Sequence, residues 1–402
     1  MYPAPFALER FFARYEFSAR YLLSASDCQG PAMAQLVAAA DDELRARWEG
    51  LRLGYTESQG LPELRAEIAT LYGQVGADRV IDAGQVLVAA PEEAIFLTMH
   101  ALLAPGDHVI CTFPGYQSLY ELARSIGCEV DLWEPVQPVK GAEGAGWRFD
   151  PAGLETLIRP DTKIVVCNFP HNPTGALPSA GDFSRMLETV ARVGAWLFSD
   201  EMYRLLEPAP ESRLPAAVDL YERAVSLAGM SKAFGLAGLR IGWVAARDRG
   251  LLERMTALKD YTTICSSAPS ELLALMALRS GESILAANVA RIDRNVRAAT
   301  AFFDRHREVF SWVPPQAGTV CFPRLGTAPG MAGKGGGPQD AAAASGAEAF
   351  CARLLEKTGV LLLPSTVYGY GDSHFRLGLG REDFSVGLEV LGAYLTSDFA
   401  ER

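Results

Sequence analysis

Cysteine is sparse and unordered in this 402-residue chain: seven residues, at 28, 111, 128, 167, 265, 321 and 351, with no C-x-x-C spacing and no cysteine–histidine pairing. That excludes a zinc site and a disulfide framework, and an odd count in a chain that is 49% apolar predicts reduced, mostly buried thiols. Basic residues are in short supply, 37 against 48 acidic, and a net charge of −11 speaks against the nucleic-acid backbone as partner. No apolar run reaches the roughly 20 residues that cross a bilayer. The start, MYPAPFALER, has neither the basic leader nor the long apolar stretch of a signal peptide. The expectation is a cytoplasmic protein acting on a small molecule, with no metal, no nucleic-acid partner and no membrane. Its length implies two or three packed units.

Short apolar runs alternate with helix-like stretches through the middle of the chain. Candidate strands are 86–89, 108–112, 163–168, 195–200, 223–228 and 241–244, apolar on both faces as buried parallel strands are. Between them lie periodic segments such as 61–72, where Pro62 suits a first helical turn and Leu64, Ile68 and Leu71 share a face. This βαβ rhythm predicts an α/β domain with a mostly parallel sheet and its site at the strand carboxyl ends. From about Gly281 a long helical pattern, strands near 320–322, 360–363 and 375–378 and a last helix predict a smaller α+β domain. Residues 328–347 (APGMAGKGGGPQDAAAASGA) are Gly/Ala-rich and predict a mobile surface insertion.

Chemistry concentrates at the strand ends. Ser231-Lys232, in GMSKAFGLAGLRIGW, puts a lysine just past an apolar strand and ahead of Arg240; partial desolvation beside a cation lowers an amine's pKa and makes it a Schiff-base nucleophile. Asp200 ends AWLFSD and is followed by Tyr203, and Asn172 lies in the Pro/Gly turn NFPHNPTG that ends the previous strand. Together with Arg376 in HFRLGLG, this ordered set resembles the fold-type-I pyridoxal-phosphate enzymes, the class I/II aminotransferase family. The likeness runs from GYTESQGLPELR to the last strand.

The resemblance implies a fold-type-I α/β architecture: a large domain (46–283) with a mostly parallel seven-stranded sheet flanked by helices, a smaller α+β domain (284–402), and an N-terminal segment or lid (1–45) belonging to the small domain. It implies pyridoxal 5'-phosphate as cofactor and an amino-acid substrate processed through external aldimine and quinonoid states. Lys232 would form the Schiff base and shuttle the Cα proton, and Asp200 would pair with the pyridinium nitrogen so that the ring acts as an electron sink. Asn172 and Tyr203 would hydrogen-bond the ring's phenolic oxygen, Tyr116 in FPGYQ would stack on the ring, and Ser231 and Arg240 would hold the phosphate. Arg376, with Asn172, would bind the substrate, the arginine clamping its α-carboxylate through a bidentate fork. Tyr55 would reach the phosphate of a neighbouring subunit, which implies a homodimer.

Two departures from the family pattern stand out. The phosphate-binding turn, usually Gly/Ser/Thr-rich, is here Ala89-Ala90-Pro91-Glu92-Glu93; Pro91 has no N–H to donate and a carboxylate at Glu92 would repel a phosphate unless it points elsewhere. Gly229 stands where relatives often have a hydroxyl. At the amino terminus the usual glycine-containing segment is replaced by LLSASDCQG, so that Ser26, Asp27 and Cys28 become candidates to line the substrate pocket. Glu9 lies on an amphipathic segment whose apolar face (Phe6, Leu8, Phe12) could fold over the site. Three acids, Glu9, Asp27 and Glu92, would favour a cationic, arginine-like substrate side chain.

These features resemble the capreomycidine-synthase-like subgroup and put side-chain β/γ-elimination, replacement or cyclisation ahead of ordinary transamination with a 2-oxo acid, which uses the same residues. A non-catalytic sensor built on this fold would carry a DNA-binding module, and no basic helix-turn-helix segment precedes Tyr55.

Overall fold

The computed structural model describes residues 2–73, 81–137, 146–326 and 346–400. A seven-stranded sheet organises it: β1 (Val86–Ala89), β2 (His108–Thr112), β3 (Glu129–Trp133), β4 (Thr162–Asn168), β5 (Trp196–Asp200), β6 (Ala224–Gly229) and β7 (Gly242–Ala246), in the order β1-β7-β6-β5-β4-β2-β3. The five strands from β3 to β6 run parallel, while β7 is antiparallel to both β6 and β1. The six anticipated strands are all present within two residues at either end. The edge strand β3 was not anticipated, because Glu129 and Asp131 interrupt its apolar run on a half-exposed edge.

Apolarity on both strand faces has a direct cause. Along β4, Ile164 and Val166 enter one buried cluster while Val165 and Cys167 enter another on the opposite face. Helices cover both faces, and their ends follow local chemistry. Ser179 accepts from Asp182 N at 3.0 Å to start Ala180–Val193, and Gly194 ends it at φ +70°.

The first six helices are α1 (Ala7–Tyr15), α2 (Met33–Ala39), α3 (Asp42–Glu49), α4 (Pro62–Ala69), α5 (Pro91–Leu102) and α6 (Ser118–Ile126), of which α1 and α5 reach the site. Both α4 and α5 begin on proline, whose missing N–H costs nothing in a first turn. The periodic 61–72 segment is helical only over α4 and ends in turns before Gly73.

The C-terminal part packs helices Gly281–Arg305, Ala347–Thr358 and Phe384–Ala400 around a small antiparallel sheet of Leu363–Pro364, Phe375–Gly378 and Val320–Cys321. The strand anticipated at 360–363 is shifted: Val360 instead makes an isolated parallel bridge with Tyr21. The 328–347 stretch lies outside the described residues except for its last two. Residues 23–29 are laced to the final strand by Gly378 N to Leu23 O at 2.7 Å and Gln29 N to Gly380 O at 2.9 Å. A Cβ at Gly378 would lie 1.8 Å from Ala25 O, and one at Gly380 2.1 Å from Asp27 O. The glycines of RLGLG are what let the backbone of residues 25–28 lie against the chain that carries Arg376.

Among the described residues no single helix is long and apolar enough to cross a membrane. None of the described His, Cys, Asp and Glu residues form a group of three or more placed to hold a metal. All seven cysteines are free thiols.

Candidate active site

The carboxyl ends of β4, β5 and β6 open onto a cavity of about 480 Å³. Asn172 and Lys232 reach it from the loops after β4 and β6, and Asp200 is the last residue of β5 between them, as the strand-end reading anticipated. Tyr203, Ser231, Arg240, Tyr116 and Arg376 line the same cavity, together with Glu9, Ser26, Asp27, Pro91 and Glu92. Three sequence candidates do not line it: Cys28 is fully buried in the main apolar cluster instead. Ala90 sits behind the wall as the N-cap of α5, and Tyr55 is 89% exposed on the outer surface.

Lys232 Nζ donates to Ser26 Oγ at 2.8 Å. Burial, with help from the charge of Arg376, depresses its pKa, while Asp27, Asp200 and Glu9 oppose that. Asp200 is buried, and burial raises its carboxyl to about 7 even though Met202 N donates to Oδ1 at 3.1 Å. Asn168 Nδ2 donates to Asp200 O at 3.0 Å, and Asn168 Oδ1 accepts Asn172 N at 2.7 Å, so one side chain ties the two loops together. Of the residues lining the cavity, two carry buried hydroxyls with no hydrogen-bond partner among the described residues: Tyr203 Oη and Ser231 Oγ. Buried polar atoms are normally paired, so these two await a ligand.

Arg376 is 1% exposed. Its Nε and Nη2 donate to Ser24 O at 3.1 and 2.8 Å, and Nη1 donates to Tyr368 Oη at 2.8 Å and Asn172 Oδ1 at 3.3 Å. The Phe12 ring lies 5.5 Å from the guanidinium carbon. Four of five donors are therefore committed, and a bidentate grip on a carboxylate needs Nη1 to release Asn172, its longest contact.

Helix α1 lies over the cavity and presents Leu8, Glu9 and Phe12, followed by Glu16 at its C-cap. It is fastened by Ala7 N to Gln117 Oε1 at 2.8 Å, by Gln117 Nε2 to Pro5 O at 3.0 Å, and by the rings of Phe6 and Tyr116, 5.1 Å apart. Tyr116 Oη donates to Glu9 Oε1 at 3.2 Å, and Asp27 pairs with Arg381 at 3.0 Å. Burial raises Glu92 and Glu16, the latter further through Asp27.

Glu16 was missed in the sequence although it lies two helical turns past Glu9 and one past Phe12, a spacing that puts all three on one face. No local signal marks Tyr368. The missing hydroxyl at Gly229 also has a packing cause: a Cβ there would lie 2.9 Å from Gly242 Cα, and one at Gly242 would lie 2.9 Å from Pro91 Cγ. Pro91 and the two glycines form one close approach.

The family model for aminotransferase class I and II matches residues 21–383. Capreomycidine synthase from Streptomyces vinaceus is 28% identical over 306 residues, covering 75% of this chain and 72% of that protein. A PLP-dependent aminotransferase from Streptococcus suis superposes with TM-score 0.85 at 28% identity, covering 99% of both chains. The PLP-dependent cyclase OrfR superposes with TM-score 0.83 at 31% identity, covering 99% of this chain and 98% of that one.

Proposed function

Since this chain belongs to the aminotransferase class I and II family and is a pyridoxal-phosphate-dependent enzyme, we propose that it eliminates or replaces a β or γ substituent of an amino acid carrying a cationic, arginine-like side chain, with ring closure as the favoured outcome. The observation that carries this reading is the set of three acids, Glu9, Glu16 and Asp27, lining one cavity. In a cleft closed by α1 their field attracts a guanidinium far more strongly than in water. A capreomycidine synthase and a cyclase among the similar proteins support it.

The residues present fit the cofactor. Lys232 has a depressed pKa and so a larger share of neutral, imine-forming amine. Tyr203 and Ser231 offer unpartnered buried hydroxyls. We assign the ring's nitrogen to Asp200, its phenolic oxygen to Asn172 and Tyr203, its face to Tyr116, and its phosphate to Ser231, Arg240 and the first turn of α5. When bound, pyridoxal phosphate supplies an electron sink for the substrate's Cα–H bond.

Everything else is the chain's own work. Arg376 would orient the α-carboxylate, and Lys232 would take the Cα proton on Nζ while Ser26 Oγ holds that amine in place. Phe12 and Leu8 exclude water, and Glu9 and Glu16 draw the cationic end of the substrate toward α1. The same reading makes 1–45 a lid segment, 46–283 the cofactor-binding part and 284–402 the small domain. It also places a second copy of the chain against the exposed patch of Leu53, Tyr55, Tyr261 and Ile264, where Tyr55 would reach across.

Ordinary transamination is the second reading, favoured by the aminotransferase that superposes over 99% of both chains. Incubation with hydroxylated arginines and with an amino acid bearing a γ leaving group separates the two. Eliminated or cyclised product is expected; stoichiometric keto acid with neither would replace the first reading by the second.

A further inference from the structure

Glu92 sits where its charge and its surroundings conflict. It is the second residue of α5 and its side chain lines the cavity beside Arg240 and the unpartnered, 5%-exposed Ser231. Its Oε2 accepts from Ser118 Oγ at 3.3 Å. The phenol of Tyr116 has one proton and two carboxylates in reach, Glu9 Oε1 at 3.2 Å and Glu92. Arg240 spends Nη1 on Ala237 O at 3.1 Å and makes no ion pair among the described residues. Glu92 therefore has weak donors and no ion pair among the described residues.

A phosphate ester carries about −1.5 to −2 at neutral pH. Against it stand one guanidinium and the end of α5, equivalent to about half a positive charge. These roughly balance the phosphate, so an ionised Glu92 would be left over as uncompensated negative charge in a cup from which the ligand displaces water. A neutral carboxyl removes that repulsion and gains an O–H, which replaces the donor that Pro91 lacks. Burial foremost, and the charge of Glu9, already push Glu92 above the ordinary carboxyl range, against Tyr116, Ser118 and Arg240. Asp200 on β5 faces it as a further negative group.

We propose that Glu92 enters the phosphate cup as the neutral carboxylic acid, so that seating the cofactor's phosphate takes up one proton at this side chain. This rests on the phosphate assignment above and adds to it a proton and the residue that carries it.

The test titrates pyridoxal phosphate, and pyridoxal as the phosphate-free control, into cofactor-free wild type, Glu92→Gln and Glu92→Ala between about pH 6 and pH 9. Binding is followed by the imine absorbance. Calorimetry in two buffers of different ionisation enthalpy gives the protons taken up. For pyridoxal phosphate, the ratio of the wild-type to the Glu92→Gln dissociation constant is expected to rise with pH by up to tenfold per unit. Wild type should take up as much as about one proton more than the variant, and the pyridoxal ratio should stay flat. Glu92→Ala should show the same loss of pH dependence at weaker affinity. A flat ratio for pyridoxal phosphate with equal proton counts overturns the proposal. Arg240→Ala isolates the reading beneath it: if pyridoxal phosphate binds the variant with an undiminished advantage over pyridoxal, the phosphate lies elsewhere and the cup assignment itself fails.

Discussion

Replacing Arg376 by lysine keeps the charge and removes the fork. In the native site the guanidinium spans Ser24 O on one edge and Tyr368 Oη with Asn172 Oδ1 on the other, beneath the Phe12 ring. An ammonium is a single point with three donors and cannot serve both edges while also meeting a substrate carboxylate. At least one charge-assisted hydrogen bond is lost, worth about 1.5–3 kcal/mol, which corresponds to about a 10- to 150-fold fall in kcat/KM. The assay is single-turnover absorbance change with an α-amino acid and with the matching amine that lacks the carboxylate. The deficit should be large for the amino acid and near zero for the amine. A fall of less than about threefold would refute the carboxylate assignment, and an equal deficit for both ligands would show that the lysine merely disturbs packing.

Two further outcomes follow from titration. In the cofactor-free protein, burial raises Asp200 from 3.8 to about 7, so the folded state holds a proton there that the unfolded chain has lost, and stability falls as pH rises through that window. Asp200→Asn should therefore unfold at a higher temperature than wild type above about pH 7 and show little difference near pH 4; an unchanged difference across that range would contradict a buried carboxyl. Imine formation by Lys232 with pyridoxal phosphate should reach its plateau rate below the ordinary amine value of 10.5, because the neutral amine attacks and burial lowers its pKa. Lys232→Ala should form no imine, and a plateau reached only above 10.5 would refute the desolvation argument.

Much of this protein was written locally. The run AWLFSD needs only its own apolarity to become a buried strand, and the polar residue at its end then stands at the sheet's carboxyl edge. Hence six of the seven strands, and Lys232, Asp200, Asn172 and Tyr203 as one group, could be read before any packing was known. Glu16 was within reach by helical spacing but was overlooked. The β3 strand was hidden because an edge strand with one exposed face loses the doubly apolar pattern.

What only the tertiary structure decided are contacts between segments far apart in the chain. Ser24 meets Arg376 across 352 positions, Tyr368 reaches Asn172 across 196, and Lys232 finds Ser26 across 206. No residue near Arg376 in sequence announces that most of its donors are already spent. Nor does GMSK announce that Gly229 must lack a side chain because Gly242 Cα and the Ile241 carbonyl press against it. Strand and helix patterns are set by neighbours a few residues away. Donor partners and close backbone approaches depend on how those elements pack, which is a property of the whole fold.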